Sequence, residues 1–325
     1  MSSGFEMELI LSRPYLTRKQ ITRAQRNTIP DLRVYTQKKL QILGYLSDLC
    51  VYLMLPRRTL ETTIYYYDRY HLFNAFETEM VYALATGCLL LSCKQTETIK
   101  KLNDICIASF RVRKVPNVTT EMVEAFRKRA FQLELRILEA CSFDYRINNF
   151  LHIDEYIVKV GKKMECPRDV CYVAWLIAYD VLKTDIMLVV PQHSIAVAAL
   201  KISEDLLKTK HVQWNSEVYN ELSTDIHSVS EAYFEVVNFY INMFDSCELR
   251  GNIMPSQIES VPDITLKSFI DLKQDAGPQR GLNEVSNELV DRDPFLAIDM
   301  HSQTVRERRH VLSRRLVTDE QSSLQ

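Results

Sequence analysis

The hydrophobic pattern of residues 76–97, FETEMVYALATGCLLLSCKQTE, organises the prediction for the rest of the chain. From Met80 to Cys93 no residue is charged, and apolar or small side chains fall on every face of a helix drawn through the segment. A helix that is apolar on all sides must be surrounded by other elements rather than lie on a surface. Lys94 follows at the carbonyl end of the helix dipole, where a cation is favourable. We therefore predict a central helix within an all-helical (all-α) domain.

Apolar residues recur with a helical period on both sides of this central helix. Asn74 is predicted to close the preceding helix and, with Glu77, to cap the N-terminus of the central one, and Thr119 or Thr120 predicts the cap of a later helix. The period predicts two groups of five helices, at residues 35–55, 59–73, 76–97, 98–111 and 119–141, and at residues 150–160, 166–182, 192–207, 218–222 and 229–244.

The break between the two groups predicts a domain boundary. At residues 142–149 the period is lost, and Asn148 or Asn149 would cap a new helix. The N-terminal arm is polar and basic and is expected to hold one short helix. The C-terminal tail has scattered proline and glycine and is predicted to be mostly irregular, with a candidate basic helix at residues 306–315. The predicted divisions are an arm at 1–34, a first domain at 35–145, a second at 146–250 and a tail at 251–325.

The composition favours a protein with a large core and no cofactor. The chain has 325 residues, of which 46% are hydrophobic, and a net charge of −2. A pI near 6.4 argues against a general nucleic-acid binder, and only 7 glycines argue against an α/β nucleotide-binding enzyme. The 7 histidines have no metal-ligand spacing. The sequence contains no P-loop, no glycine-rich kinase loop and no nucleophile elbow, so we expect no catalytic residue and no metal.

Cysteine usage and hydropathy indicate the compartment. The 8 cysteines lie mostly inside apolar helical runs and never as CxxC, which favours reduced thiols in the nucleus or cytosol over disulfides or a zinc site. No apolar signal segment is visible at the N-terminus. No run of roughly 18 uncharged apolar residues occurs, so we do not expect a membrane partner.

Several segments resemble the cyclin family. CLLLSCKQTE at 88–97 is similar to the end of the third helix of a cyclin box, and LELRILEACSFDY at 133–145 is similar to its fifth helix. DRY at 68–70 resembles the family's Asp-Arg-Phe, and PQHSIAVAALKIS at 191–203 resembles the third helix of a second box. The arm segment 12–29 is similar to cyclins of the transcription type. The resemblance implies two tandem five-helix cyclin boxes.

The resemblance also implies a non-catalytic subunit that binds and activates a cyclin-dependent kinase. Transcription-type complexes of this kind phosphorylate the C-terminal heptad repeats of RNA polymerase II in the nucleus, usually with a third small subunit. Lys94 and Glu134 match the family lysine and glutamate that hydrogen-bond the kinase backbone. The kinase-binding residues that the resemblance implies are Lys94, Gln95, Glu97, Glu134, Leu138 and Phe143.

Some of these residues also have a purely structural interpretation. From spacing alone, Lys94 would complement a helix dipole, and only the surrounding motif favours an interface. Asp68 and Arg69 are expected to be structural and to pair within their domain, with Lys38 or Lys39 as a candidate partner.

Two other functions compete with the cyclin interpretation. A transcription-factor-IIB-like DNA-binding module shares the paired five-helix architecture, but it carries an N-terminal zinc ribbon, and this chain has no cysteine before Cys50. Catalysis by the chain itself is disfavoured because phosphate-handling motifs are missing. The substrate-docking segment of mitotic cyclins is also replaced here, by residues 37–39 and Gly44, so docking of cell-cycle substrates is not expected.

Overall fold

The structure is a computed structural model, and it describes residues 9–10, 15–143, 152–222, 224, 226–250, 263–276 and 311–312. The chain divides into two compact units. The first contains the helices α1 (Arg18–Thr28), α2 (Leu32–Tyr52), α3 (Arg57–Phe73), α4 (Val81–Gln95), α5 (Leu102–Val112) and α6 (Thr120–Ala140). The second contains α7 (Ile153–Lys163), α8 (Arg168–Asp180), α9 (Gln192–Leu207), α10 (Ser216–Glu221), α11 (Ile226–Met243) and α12 (Leu266–Asp275).

The all-helical prediction is confirmed. Helices α2–α6 and α7–α11 correspond to the two predicted groups of five. Two short strands, β1 (Leu9–Ile10) and β2 (Val311–Leu312), pair antiparallel in the second unit, with Leu9 opposite Leu312. This pairing contradicts the candidate basic helix at residues 306–315 at the two positions that the structure describes there. Asn148 and Asn149, the predicted caps, lie outside the described residues.

Helix α4 is the central element of the first unit, as its uncharged sequence predicts. Every residue from Ala83 to Cys93 is buried, and α4 packs against both α3 and α6. Because α4 is buried on all sides, a charged side chain before Lys94 would have to leave water, and none occurs in the helix. The unit is therefore built around a helix that contributes almost all of its surface to the core.

The predicted cap of α4 is wrong. The helix begins at Val81, after a turn in which the Met80 N–H donates to the Glu77 carbonyl. Asn74 instead ends α3, where its side-chain amide donates to the Tyr70 carbonyl oxygen at 3.1 Å. An asparagine can serve either end of a helix, so sequence alone could not choose between them. The predicted cap of α6 is correct, since the Thr119 hydroxyl accepts from the Met122 N–H.

A buried ion pair joins α2 to α3. The Lys39 Nζ lies 2.7 Å from the Asp68 Oδ1, and both side chains are buried. The neighbouring Arg69 donates from Nε to the Ala140 carbonyl oxygen at the end of α6 and stacks over the Phe73 ring. Asp68 and Arg69 thus link three helices, with Lys39, one of the two candidate lysines, as the aspartate's partner.

Part of the arm belongs to the core of the first unit. Helix α1 is the one short helix expected in the arm, and it opens with a capping box between Thr17 and Gln20. Its buried Ile21 faces inward, and the Thr28 hydroxyl at its end donates to the His71 carbonyl oxygen of α3 at 2.6 Å. Helix α1 is therefore packed against the first unit and is not a free element of the arm.

A buried carboxylate organises the second unit. Asp180, at the end of α8, pairs with the Lys183 ammonium at 2.6 Å and accepts the Tyr240 hydroxyl of α11 at 2.8 Å. It also accepts the backbone N–H groups of Glu248 and Leu249, at 2.9 and 3.3 Å. This one side chain therefore fixes the chain beyond α11 against α8.

Helix α12 is a helix that the sequence did not predict within the tail. The Phe269 side chain is fully buried and stacks on Tyr240, with ring centres 4.2 Å apart. The apolar residues of α12 have helical spacing over only one short segment, which is too short to establish a helical period from the sequence. Tertiary packing against α11 supplies the stability that ten residues of helix lack in water.

The packing of α12 gives the first prediction. Phe269→Ala should lower the free energy of unfolding of the second unit by about 3–5 kcal/mol, because it removes a fully buried aromatic ring. Both tryptophans, Trp175 and Trp214, lie in this unit, so tryptophan fluorescence during urea unfolding reports the change. Ile270→Ala is the matched control, since that neighbouring side chain is exposed. Equal effects of the two substitutions would contradict the observed packing.

Candidate functional site

Lys94 and Glu134 meet at the surface of the first unit. Lys94 lies in the last turn of α4 and Glu134 in the middle of α6, and the Lys94 Nζ is 2.5 Å from the Glu134 Oε1. The lysine side chain is 52% exposed, whereas the glutamate side chain is 11% exposed. The carboxylate is therefore mostly buried, and the ammonium is exposed to solvent with N–H donors that Glu134 does not use.

The close approach of α4 and α6 creates this pair. A Cβ atom on Gly87 would lie 3.0 Å from the Ala130 carbonyl oxygen and 3.3 Å from the Ile137 Cδ1. Gly87 precedes Lys94 by two helical turns, and Ala130 precedes Glu134 by about one, so each pair shares a helix face. A side chain at position 87 would require α6 to move by a few tenths of an ångström. The sequence signal for this close approach was a small residue in the middle of an apolar helix.

Gln95 and Glu97 shape the end of α4. The Gln95 side-chain oxygen accepts a hydrogen bond from the hydroxyl of the buried Tyr66 of α3, so this amide is oriented by the core. Glu97 has a left-handed backbone with φ 56°, and the following Thr98 N–H donates to the Cys93 carbonyl at 2.9 Å. This is a Schellman motif, and the left-handed residue of such a motif is usually a glycine. The Glu97 carboxylate is exposed beside the site.

A second Schellman motif ends α6 and sets the positions of Leu138 and Phe143. The Phe143 N–H donates to the Leu138 carbonyl at 2.8 Å, with Ser142 in the left-handed region. In this motif the two residues that the bond connects are commonly in apolar contact. Leu138 is half-buried, but Phe143 is 55% exposed, so Phe143 is a surface residue of the site rather than part of the core.

Sequence reasoning missed two further apolar residues on the exposed side of α6. Phe131 is 63% exposed and Leu135 is 55% exposed, and with Leu138 they follow the helical spacing of one face. We call Phe131, Leu135 and Leu138 the α6 apolar row. Isolated exposed apolar residues are normal, but a row next to a charge pair is typical of an interaction surface. The signal in the sequence was a second apolar stripe, offset from the buried one at Ala130, Leu133 and Ile137.

The chemistry available in the described residues is that of binding. Among them, no group of three or more His, Cys, Asp or Glu side chains could hold a metal ion. Burial raises the pKa of the Cys93 and Cys106 thiols to about 11, which leaves both as poor nucleophiles. In the same part of the chain, no helix combines the length and hydropathy needed to cross a bilayer.

The segment at residues 111–118, which ends α5 and forms the loop after it, carries the basic residues Arg111, Arg113 and Lys114, and Arg113 is held by contacts within the first unit. The guanidinium of Arg113 lies over the rings of Tyr82, Phe110 and Phe126, at 4.7, 4.9 and 5.1 Å from their centres. Such cation–π contacts hold the side chain between α4, α5 and α6. Arg113 is therefore a structural residue, and its charge is not presented as part of a phosphate-binding surface.

Comparisons with known proteins agree with this arrangement. Residues 13–146 match the family model of the cyclin N-terminal domain. The CTD kinase subunit beta of Saccharomyces cerevisiae is 52% identical over 322 residues, which covers 99% of this chain and 98% of that protein. The protein with the same name in Schizosaccharomyces pombe is 29% identical over 205 residues, or 61% of this chain and 59% of that one.

A solved structure is similar over almost the whole chain. A chain in the crystal structure of the yeast RNA Pol II CTD kinase CTDK-1 complex is 52% identical and superposes with a TM-score of 0.83. The match covers 97% of this chain and 100% of that one. The similarity therefore includes sequence beyond the ten box helices, which are α2–α6 and α7–α11.

The role of Gly87 gives the second prediction. Gly87→Ala should lower the free energy of unfolding by about 0.5–2 kcal/mol, because the strain of a methyl group against the backbone of α6 outweighs the gain in helix propensity. Gly44→Ala is the matched control: Gly44 also lies in a helix, but no atom would be within 4 Å of its added Cβ. The control should raise stability by about 0.5–1 kcal/mol through helix propensity. Circular dichroism during urea unfolding measures both, and a shift in the same direction would contradict the tight contact.

Proposed function

Because the chain belongs to the cyclin family, we propose that it is the regulatory subunit that binds and activates a cyclin-dependent kinase acting on the C-terminal heptad repeats of RNA polymerase II. The observation that carries this proposal is the 52% identity to a CTD kinase subunit beta over 99% of the chain. The identity extends through almost the whole of both proteins, which supports a shared function and not only a shared fold. The chain is the non-catalytic member of the complex, and its place of action is the nucleus.

The competing DNA-binding function is not supported. The family model that matches is that of cyclins. In the segment at residues 111–118, Arg113 lies over three aromatic rings, which leaves Arg111 and Lys114 as the exposed basic side chains.

The mechanism is allosteric activation by a rigid surface. A protein kinase needs its β3 Lys–αC Glu ion pair and an ordered activation loop before phosphoryl transfer. A subunit that binds only the active position of αC shifts the population of kinase molecules toward it. Moving a two-state equilibrium from about 1:99 to 99:1 takes about 5.5 kcal/mol of differential binding. Because α4 is buried on all sides in a close-packed core, the surface formed at its end is rigid when the kinase binds.

The site divides this task between polar and apolar residues. Lys94 uses one donor on Glu134 and has others available for backbone carbonyl groups of the kinase. Glu134 holds the ammonium in place from a mostly buried position and retains acceptor capacity. The α6 apolar row and Phe143 supply the surface that is removed from water on binding. Gln95 and Glu97 complete the polar edge at the end of α4.

Two further partners belong to the proposal. The complex contains a third small subunit, and its substrate is the serine-rich heptad tail of the polymerase. The arm and the tail lie outside the ten box helices but inside the alignment with the S. cerevisiae relative. We therefore assign them to contacts with the third subunit or the kinase.

The third prediction tests the charge pair. Lys94→Ala or Glu134→Ala should weaken kinase binding by about 2–5 kcal/mol, because each leaves a partner unpaired at a desolvated interface. Melting of the free chain should change little for Lys94→Ala, since that side chain is half exposed. Calorimetric titration of the kinase subunit measures binding, and phosphorylation of a heptad-repeat peptide measures activation.

A matched control is available in the second unit. Lys163 and Glu221 form an ion pair at 3.1 Å with both side chains about half exposed. Their alanine variants should bind and activate like the unaltered chain. A Lys94 or Glu134 variant that melts early but activates fully once folded would show that the pair is structural.

The fourth prediction concerns the arm and the tail. Since α1 and α12 belong to the cores of the units, a chain of residues 35–250 would lose packing as well as contacts. A chain of residues 15–276 keeps both helices. It should melt like the full chain but assemble more weakly with the kinase and the third subunit, as measured by co-purification and titration. Equal assembly and activation by the shortened and full chains would refute this assignment.

A further inference from the structure

The turn between α7 and α8 fixes two cysteines at defined positions. Helix α7 ends in a Schellman motif, in which the Cys166 N–H donates to the Gly161 carbonyl at 2.8 Å and Glu165 has φ 52°. Helix α8 begins directly after Pro167, so Cys166 precedes the cap and Cys171 lies one turn inside the helix. Side chains at these two positions typically meet across the first turn of a helix.

The two thiols are in contact. The Cys166 and Cys171 side chains hydrogen-bond to each other, and the Cys171 Sγ lies 4.0 Å from the Cys166 carbonyl oxygen. A Cβ atom on Gly161 would be only 2.5 Å from the Cys171 sulfur, so α7 leaves room for that sulfur only because residue 161 is glycine. The sulfur is thereby confined between the α7 backbone and Cys166.

These two cysteines also differ from the other six in accessibility. Both are half-buried, whereas Cys50, Cys88, Cys93, Cys106, Cys141 and Cys247 are buried. Burial raises the pKa of Cys50 and of Cys247 to about 12, which suppresses their thiolate forms. The chain therefore has one pair of thiols that is both mutually in contact and only partly buried.

We propose that Cys166 and Cys171 are a modification site, at which a peroxide converts the two thiols into a reversible intrachain disulfide. The Cys171 thiolate attacks one peroxide oxygen, the O–O bond breaks, and the leaving hydroxide takes a proton to become water. The Cys166 sulfur then attacks the resulting sulfenic acid, the S–S bond forms, and the S–O bond breaks with loss of a second water. The two thiols lose two electrons, which reduce the peroxide, and a small-molecule thiol restores them by exchange.

The surroundings assign the roles of the two sulfurs. The hydrogen bond from the Cys166 thiol lowers the pKa of Cys171, although burial and the nearby Asp169 carboxylate act in the opposite direction. The same hydrogen bond and burial raise the pKa of Cys166. Cys171 also lies near the N-terminus of α8, where the helix dipole favours an anion. Cys171 is thus the attacking residue and Cys166 the resolving one.

Tryptic mapping of the full-length chain tests this site. Cleavage after Lys163, Arg168 and Lys183 places the two cysteines on separate peptides, 164–168 and 169–183. The chain is treated with equimolar hydrogen peroxide, the remaining thiols are alkylated in denaturant, and the digest is run without reductant. We expect the two peptides to appear joined, to separate on reduction, and to form before any of the six buried cysteines is modified.

Variants distinguish this disulfide from simple packing of two thiols. Cys166→Ser should abolish the joined peptide and let Cys171 proceed to sulfinic acid, because the resolving thiol is missing. Gly161→Ala, which places a methyl group where the Cys171 sulfur lies, should slow the joining. Recovery of both peptides as free thiols while buried cysteines oxidise, or pairing of Cys171 with another cysteine, would overturn the proposal. The measurement on the unaltered chain decides even if a variant fails to fold.

Discussion

The contact between α4 and α6 at Gly87 is the constraint on which the first unit and its site depend. The absence of a side chain at this one position lets the backbone of α6 approach the middle of α4. Two turns further along α4, the same approach brings an ammonium from one helix onto a carboxylate from the other. A surface charge pair is weak when both partners are free, because ordering two long side chains costs entropy. Here the helices order them in advance, since the glutamate is held in a mostly buried position.

The ends of α4 and α6 show how the fold presents this surface. Both helices stop in Schellman motifs with a non-glycine residue in the left-handed region, Glu97 in one and Ser142 in the other. A left-handed conformation at such residues carries a cost in free energy, of order 1–3 kcal/mol, and is kept where the surrounding structure requires it. The sharp ends leave the Glu97 carboxylate and the Phe143 ring at the surface, beside the charge pair and the α6 apolar row.

Buried charges position the remaining helices in each unit. Lys39 with Asp68 ties α2 to α3, and Asp180 collects a lysine, a tyrosine hydroxyl and two backbone N–H groups at the end of α8. A buried ion pair contributes little net stability over an apolar replacement, but breaking one is costly because the remaining charge has no partner. Removal of one partner from either group should therefore destabilise its unit by more than the group itself contributes.

The sequence by itself determined the helical class, the two groups of five helices, the central position of α4 and the candidates Lys94 and Glu134. The helical class, the two groups of five and the position of α4 follow from local periodicity, whereas the two site candidates come from the resemblance of their segments to the cyclin box. It gave Asn74 a role at two helix ends, of which only the end of α3 is observed, because an asparagine satisfies either end of a helix. It missed α12, whose stability comes from the ring of Tyr240 and not from its own ten residues.

Only the tertiary structure decided how far the second apolar stripe of α6 is exposed and which thiols touch. The helical period places Leu133 and Leu135 on different faces of α6, but only the packing shows that Leu135 remains 55% exposed. Likewise, the sequence shows eight cysteines without distinguishing them, and the turn after α7 brings two together. Exposure and contact depend on what packs against each face, and that partner is distant in sequence. A pattern of residues therefore specifies elements, while the contacts between elements specify the surfaces that act.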